Sequence, residues 1–206
     1  MQKKIILASK SMDRCEILKT LKISFDAIVA KIDENKFKDR ISNPIQLVKE
    51  LAKAKALDVK RRVLEDDLDA IIIGADTIVE YNGEIIGKAN NEDQAFHILQ
   101  RLQNKAHNLI TGLAITETSS LKMIVDYECT VVYFAQLSDQ EIWTYVKSGE
   151  WKGRAGAYSI RDKASLFVKA IEGSFSNVVG LPLFKIYEIL KKEFNLNLFE
   201  MNKFLN

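Results

Sequence analysis

The hydrophobic pattern of the chain centres on the stretch from Asp69 to Glu80. Ala70-Ile71-Ile72-Ile73-Gly74-Ala75 is continuously apolar, and only Asp76 interrupts it before Thr77-Ile78-Val79. An unbroken apolar run rich in β-branched residues predicts a strand buried on both faces. A carboxylate inside such a strand is costly unless something pairs it. Asp76 is therefore either a paired acid or a structural residue that caps the strand end. The next residues, Tyr81-Asn82-Gly83-Glu84, carry the Asn-Gly hairpin signal, so the chain folds back through Ile85-Ile86-Gly87-Lys88. A two-residue loop pairs Tyr81 with Glu84 and, counting down, Thr77 with Lys88, which leaves Asp76 on the opposite face. A bulge at Gly87 would bring Lys88 to the Asp76 side, and on that basis the pattern predicts an acid–lysine hairpin.

Other segments follow the same two periodicities. Lys4 to Ala8 reads as a short buried strand, followed by Ser9-Lys10-Ser11 and a helix capped by Ser11, with Cys15, Leu18 and Leu21 on one side. Ile23 to Val29 predicts a second strand, and the polar run from Lys31 to Arg40 an exposed loop. Ser42-Asn43-Pro44 opens a helix with proline in its first turn. Its apolar stripe is Val48, Ala52 and Val59, with Lys55 set inside it. Asn90 or Asn91 caps a helix that faces the core through Ala95, Ile98, Leu99 and Leu102, with His97 exposed. Two long strands follow, about Ala106 to Thr116 and Leu121 to Ala135. Ser138-Asp139-Gln140-Glu141 reads as a capping box opening a helix that ends near Ser148-Gly149. The glycine-rich, basic loop Lys152 to Tyr158 precedes a strand from Ser165 to Ile171, and a last helix spans about Leu183 to Phe194.

Composition narrows the class. A length of 206 residues suits one α/β domain or two small lobes sharing a sheet. No repeat, proline-rich linker or clean boundary appears, so residues 1–206 read as a single domain. Thirty Lys and Arg against 28 Asp and Glu give a net charge of +2. That balance carries neither a nucleic-acid footprint nor a polybasic membrane anchor, and any anion site must be built locally. Cys15 and Cys129 form no CxxC pair and no disulfide framework. The apolar segment after Lys3-Lys4 is too short for a signal-peptide core, and no run reaches the length of a membrane span. The expectation is a reduced, cytoplasmic protein.

Several positions carry candidate chemistry. The order strand, Ser9-Lys10-Ser11, helix brings backbone N–H groups, two hydroxyls, Lys10 and Arg14 to the positive end of a helix, an arrangement suited to phosphate. It lacks the glycines and the GK[ST] ending of a Walker loop, and a simple capped helix is the alternative. Lys55 either snorkels to water from its stripe or delivers its ammonium to an anion at the stripe's edge. Glu34, taken alone, reads as a solvated charge. His107, at the start of a strand, reads as a hydrogen-bonded structural residue.

Five stretches, in order, resemble one family. Leu7-Ala8-Ser9-Lys10-Ser11-Met12-Asp13-Arg14-Cys15-Glu16-Ile17-Leu18 is similar to the L-A-S-x-S-P-R-R-x-E-L-L opening of the Maf-type nucleoside triphosphate pyrophosphatases, the septum formation inhibitor Maf-like proteins. Gly74-Ala75-Asp76-Thr77 followed by Gly87-Lys88 resembles their G-A-D-T and G-K-P motifs. Thr111-Gly112, Ala155-Gly156-Ala157-Tyr158 and the run Gly173 to Pro182 resemble three later signatures. The resemblance implies an α/β fold of the ITPase-like, Maf-like kind: a mixed twisted sheet flanked by helices, with two lobes around a cleft that holds the nucleotide. It implies hydrolysis of nucleoside triphosphates to monophosphate and diphosphate with a divalent cation, Mg²⁺ or Mn²⁺. It also implies a homodimer, with no nucleic-acid or membrane partner.

The same resemblance assigns roles by position. Asp76 is the proton acceptor and, with Glu34, a metal ligand. Ser9, Arg14, Lys55 and Lys88 contact the substrate phosphates. Asp13, Thr77 and Arg161 occupy positions that set base preference. Thr77 and Ala157-Tyr158 agree with the branch acting on dTTP and UTP, but that branch has Arg at the Asp13 position and Gln at the Arg161 position, and Ala89 replaces its proline. The resemblance implies a dTTP/UTP pyrophosphatase that prevents incorporation of unwanted nucleotides. The alternatives are a house-cleaning enzyme for modified or purine nucleotides, or a nucleotide-binding regulator of cell division with little turnover. Attack of water on the α-phosphorus expels a multiply charged leaving group, so such catalysis is mostly positioning and charge neutralisation. Cations around an acid rising from a buried strand fit that demand.

Overall fold

The structure is a computed structural model that describes residues 3–201. In chain order these form β1 (Lys4–Leu7), α1 (Met12–Thr20), β2 (Asp26–Ala27), α2 (Asn35–Lys38), α3 (Pro44–Glu65), β3 (Ala70–Tyr81), β4 (Glu84–Ile86), α4 (Glu92–Leu102), β5 (Ala106–Glu117), β6 (Met123–Phe134), α5 (Asp139–Lys147), β7 (Val168–Glu172), α6 (Phe175–Val178) and α7 (Leu183–Glu193). Short 3-10 turns lie at Lys163–Leu166 and Leu198–Glu200. Among the described residues the strands form one seven-stranded mixed sheet in the order β2-β1-β3-β5-β6-β7, with β4 also paired to β3. β1 runs parallel to β2 and β3, whereas β4 on β3 and β7 on β6 are antiparallel. The chain is thus an α/β fold with a mixed sheet flanked by helices, as expected. No helix among the described residues is long and apolar enough to cross a membrane.

The chain falls into two compact units. One comprises residues up to Asp76, Thr111–Glu128 and residues from Gly180 onward; the other comprises Thr77–Ile110 and Cys129–Val179. The expected single domain had no composition break to divide it, and β3, β5 and β6 each contribute residues to both units.

In the first unit, strand alternation sorts the side chains into two cores. Ile5, Leu7, Ile71, Ile73, Leu113 and Ile115 pack with Leu18 of α1 and with Ile186, Ile189 and Leu190 of α7. Ile6, Ala8, Ala70, Ile72 and Ala114 point the other way, onto Ala52, Ala56, Val59 and Val63 of α3. Each fully buried Ile or Leu here contributes roughly 1.5–3 kcal/mol of hydrophobic stabilisation. The α3 face is lined by small residues for a steric reason. A Cβ on Gly74 would lie 2.3 Å from the carbonyl oxygen of Ala52, and one on Gly112 would lie 2.2 Å from that of Val48. Both glycines share the face of Ala70, Ile72 and Ala114, and they let α3 lie directly on the strands.

The second unit has its own core, built from Val79, Phe96, Leu99, Leu102, Val132, Phe134, Tyr145, Trp151, Tyr158 and Phe167, among others. Asn91 caps α4 by accepting from Gln94 N. The reciprocal Ser138–Glu141 capping box opens α5. His107 is buried, with Nε2 3.0 Å from Tyr158 Oη and its ring edge-on to Phe134. It is the structural histidine that the sequence suggested.

Some elements differ from expectation. The second strand contracts to Asp26–Ala27. Ile28 N still donates to Leu7 O, but the chain then leaves the sheet, and Lys31 N donates to Asp58 Oδ2 of α3. The run from Lys31 to Arg40 is not wholly loop, because it holds α2. Leu21 lies past the end of α1 and is exposed, since the chain turns there through Lys22 at φ +55°. The strand expected from Ser165 begins instead at Val168, after the 3-10 turn.

Candidate active site

Asp76 shares strand parity with Ala70, Ile72 and Gly74, so its side chain emerges on the α3 face. It is only 9% exposed. On α3, Lys55 falls between Ala52, Ala56 and Val59, within the stripe that covers this face. The close approach that Gly74 permits brings the two together: Lys55 Nζ lies 2.5 Å from Asp76 Oδ1. The same ammonium lies 2.8 Å from Glu34 Oε1, immediately before α2, and Glu34 is also 3.7 Å from Lys38 Nζ. Lys55 thus does not snorkel to water; its ammonium reaches anions at the stripe's edge, the carboxylates of Asp76 and Glu34. Glu34, a solvated charge when read alone, is half-buried in this cluster.

Ser9 and Arg14 are also buried. Ser11 caps α1 by accepting from Arg14 N at 3.4 Å, and Ser9 Oγ accepts from Ser11 N at 3.1 Å. The Arg14 guanidinium turns inward. Nε donates to Gly180 O at 2.7 Å, and Nη1 donates to Ala75 O at 2.8 Å and to Ser9 Oγ at 3.2 Å. Burial pushes this guanidinium below its usual range, while the negative charges of Asp76, Glu34 and Asp13 pull the other way.

The remaining candidates are distributed as follows. Asp13 is half-buried in the first turn of α1. Thr77, next to Asp76 in β3, is half-buried and belongs to the second unit. Lys88 and Arg161 are exposed residues of that unit. The hairpin register agrees with expectation at Tyr81–Glu84, Glu80–Ile85 and Val79–Ile86 and then stops. No bulge forms at Gly87. Lys88 makes an isolated antiparallel bridge with Ala155 within the second unit, and within the first unit Asp76 meets Lys55 of α3. Parity was the overlooked signal. Asp76 lies on the face of Gly74, and Lys55 lies on the stripe of the helix that covers it.

Among the described residues no group of three or more His, Cys, Asp or Glu could hold a metal ion. Asp76 and Glu34 nonetheless converge on one cation, the Lys55 ammonium. Two carboxylates suffice for Mg²⁺ or Mn²⁺ when substrate phosphates and water complete the shell, so the donor set fits such an ion.

A buried acid beside the carboxyl end of parallel β1, with a lysine and a second acid from the covering helical layer, defines an α/β protein with a charged site at its strand ends. A family model described as Maf-like protein matches residues 4–193. The chain belongs to the Maf-like protein family. It is 47% identical over 196 residues to the dTTP/UTP pyrophosphatase of Alkaliphilus oremlandii, covering 95% of this chain and 99% of that protein. It is 44% identical over 190 residues to the dTTP/UTP pyrophosphatase of Caldicellulosiruptor saccharolyticus, covering 92% and 94%. It is 46% identical over 195 residues to that of Alkaliphilus metalliredigens, covering 95% and 98%. A likeness to the solved structure of the Staphylococcus aureus Ham1 protein is loose, with a TM-score of 0.38 and 14% identity over 65% of this chain and 72% of that one.

Proposed function

We propose that this protein hydrolyses nucleoside triphosphates, dTTP and UTP first among them, to the monophosphate and diphosphate. The observation that carries the reading is the Asp76–Lys55–Glu34 cluster on the buried strand β3, in a chain 44–47% identical to proteins named dTTP/UTP pyrophosphatase. In this reading Asp76 accepts the proton of the water that attacks the α-phosphorus. Lys55, held at the acid, supplies positive charge against the departing diphosphate. Ser9 contributes a hydroxyl donor beside the N-terminus of α1, where backbone N–H groups favour an anion. A divalent cation bound by Glu34 and Asp76 would neutralise phosphate charge. Lys88 as a phosphate contact, and Thr77 and Arg161 as determinants of base preference, rest on the motif match. We further propose a cytoplasmic protein, on its two isolated cysteines and short apolar runs, and, on the family likeness, a homodimer.

A second reading concerns the base alone. Asp13 puts a negative charge, close enough to act on Arg14, where the pyrimidine branch has Arg, and that favours modified or purine nucleotides. One experiment separates these readings. Purified protein with Mg²⁺ or Mn²⁺ is offered canonical and methylated triphosphates, and diphosphate release is measured. Turnover of dTTP and UTP above the rest supports the first reading, and preference for a purine or methylated nucleotide supports the second. Tight binding without product would overturn both in favour of a nucleotide-binding regulator.

A further inference from the structure

The geometry points to Arg14 as a positioning residue that sets the orientation of Asp76 through the backbone, rather than as a contact of the substrate phosphates. Its catalytic part rests on the hydrolase reading above. The guanidinium is a planar fork of five donors. Three of its bonds go to Gly180 O, Ala75 O and Ser9 Oγ, at 2.7, 2.8 and 3.2 Å. The side chain is buried, with only 8% of the residue exposed.

The Ala75 carbonyl is the decisive partner. It belongs to the peptide unit that joins Ala75 to Asp76, and that unit is planar. Fixing its oxygen fixes the plane that carries the Asp76 nitrogen, and with it the direction in which the Asp76 side chain leaves the strand. The Gly180 carbonyl anchors the other side of the fork. Gly180 has φ +100°, a left-handed backbone that glycine adopts without strain. Arg14 therefore ties the start of α1, the end of a buried stretch of β3 and the turn leading into α7 to a single rigid plane.

Two cations serve the acid in different ways. Lys55 takes the Asp76 carboxylate from α3, whereas Arg14 takes the peptide behind it. A phosphate contact through Nε or Nη1 would have to withdraw those donors from the buried main-chain carbonyls of Gly180 and Ala75. Lysine could replace a charge that binds phosphate. It cannot reproduce a fork that reaches two carbonyls.

The test uses the full chain as Arg14→Lys and Arg14→Met. It reads kcat and KM for the triphosphate that the wild type turns over, calorimetric binding of inorganic pyrophosphate, and amide hydrogen exchange at Asp76 and Thr77. Positioning predicts a fall in kcat of about 100-fold in both variants, the order expected for a small misplacement of a catalytic group. KM and pyrophosphate affinity stay within about threefold of wild type, and exchange at the two amides rises. Weaker pyrophosphate binding by about tenfold or more with unchanged exchange, restored by Arg14→Lys, would make Arg14 a phosphate contact and overturn the proposal. An unchanged kcat in folded protein would reduce Arg14 to a structural residue and overturn it equally. If both variants fail to fold, Gly180→Ala, which moves the carbonyl that Nε holds, must show the same loss of kcat at constant pyrophosphate affinity. If the wild type turns over no triphosphate, the hydrolase reading fails separately, and the exchange measurement still decides whether Arg14 holds the Asp76 peptide.

Discussion

The Lys55 ammonium and the Asp76 carboxylate meet at 2.5 Å across a helix–strand contact that exists because residue 74 has no side chain. The acid is buried and charge-paired, yet it sits at the edge of a cluster that takes in the half-exposed Glu34. If Asp76 accepts the proton in catalysis, Asp76→Asn keeps its size and much of its hydrogen bonding but loses the base. Diphosphate release should fall by about 10²–10⁴-fold, with the circular dichroism spectrum and unfolding midpoint close to wild type. Nearly full turnover in that variant would remove Asp76 from the chemistry.

Lys55→Met keeps the apolar stem within the α3 stripe and deletes only the charge. Two carboxylates then lose the ammonium that they share. Turnover should drop by about 10²–10³-fold, the scale of losing one preorganised donor. In the absence of nucleotide the same variant should bind Mn²⁺ more tightly than wild type, because the ion no longer competes with an ammonium for the same two acids. A Mn²⁺ titration followed by electron paramagnetic resonance reads this without any reference to activity. Equal or weaker Mn²⁺ binding would show that Glu34 and Asp76 do not share an ion.

Gly74→Ala and Gly112→Ala probe how the site is assembled. Each new methyl would collide with an α3 carbonyl oxygen, Ala52 O at 2.3 Å and Val48 O at 2.2 Å. Backbone oxygens cannot rotate away as a flexible side chain can, so the helix must lift. Each substitution should destabilise by about 1–3 kcal/mol, seen as a lower denaturant midpoint. Both should also reduce turnover at temperatures where the variants remain folded, because lifting α3 withdraws Lys55 from Asp76.

His107 gives the second unit a pH dependence of its own. Burial pushes its pKa from 6.5 down to about 4, and among the described residues Nδ1 has no hydrogen-bond partner. The unfolded chain therefore binds a proton on this ring between pH 6.5 and 4 that the folded chain refuses. The contribution is full above pH 6.5 and is lost as pH falls toward 4, amounting to about 3 kcal/mol across the window. Urea unfolding of wild type and His107→Leu at pH 7.5 and pH 4.5 measures it. The wild type should lose more stability than the variant on acidification, and parallel losses would refute the assignment.

Much of this arrangement was legible in the sequence, for identifiable reasons. The Ile71–Ile73 run, the Asn82-Gly83 loop, Pro44 after Asn43 and the Ser138–Glu141 box are local signals, and each appears where its chemistry predicts. Lys55 and Asp76 were each conspicuous as charges in apolar patterns, but which lysine meets the acid is a tertiary question. The hairpin offered Lys88 as a neighbour in sequence. Lys55, by contrast, comes from the helix packed on the even-numbered face of β3, far away in sequence. The inward turn of Arg14 was hidden for a similar reason. Its acceptors are main-chain carbonyls at Ala75 and Gly180, and a carbonyl has no signature in a sequence.

The two acids of the cluster sit in different surroundings. Asp76 is buried and bonded to Lys55, whereas Glu34 is half-exposed and shared between Lys55 and Lys38. If both hold a divalent ion but only Asp76 accepts the proton, their neutral variants should fail differently. Glu34→Gln removes one oxygen ligand, so the Mg²⁺ concentration for half-maximal rate should rise by about tenfold or more, the scale seen when a metal site loses one supporting group. Saturating Mg²⁺ should then restore most of kcat. Asp76→Asn should stay inactive at every Mg²⁺ concentration, since added metal does not replace a base. A Glu34→Gln enzyme with an unshifted Mg²⁺ dependence would leave Glu34 as a counter-charge for Lys55 alone, and the ion would then have to be carried to the site by the triphosphate and Asp76.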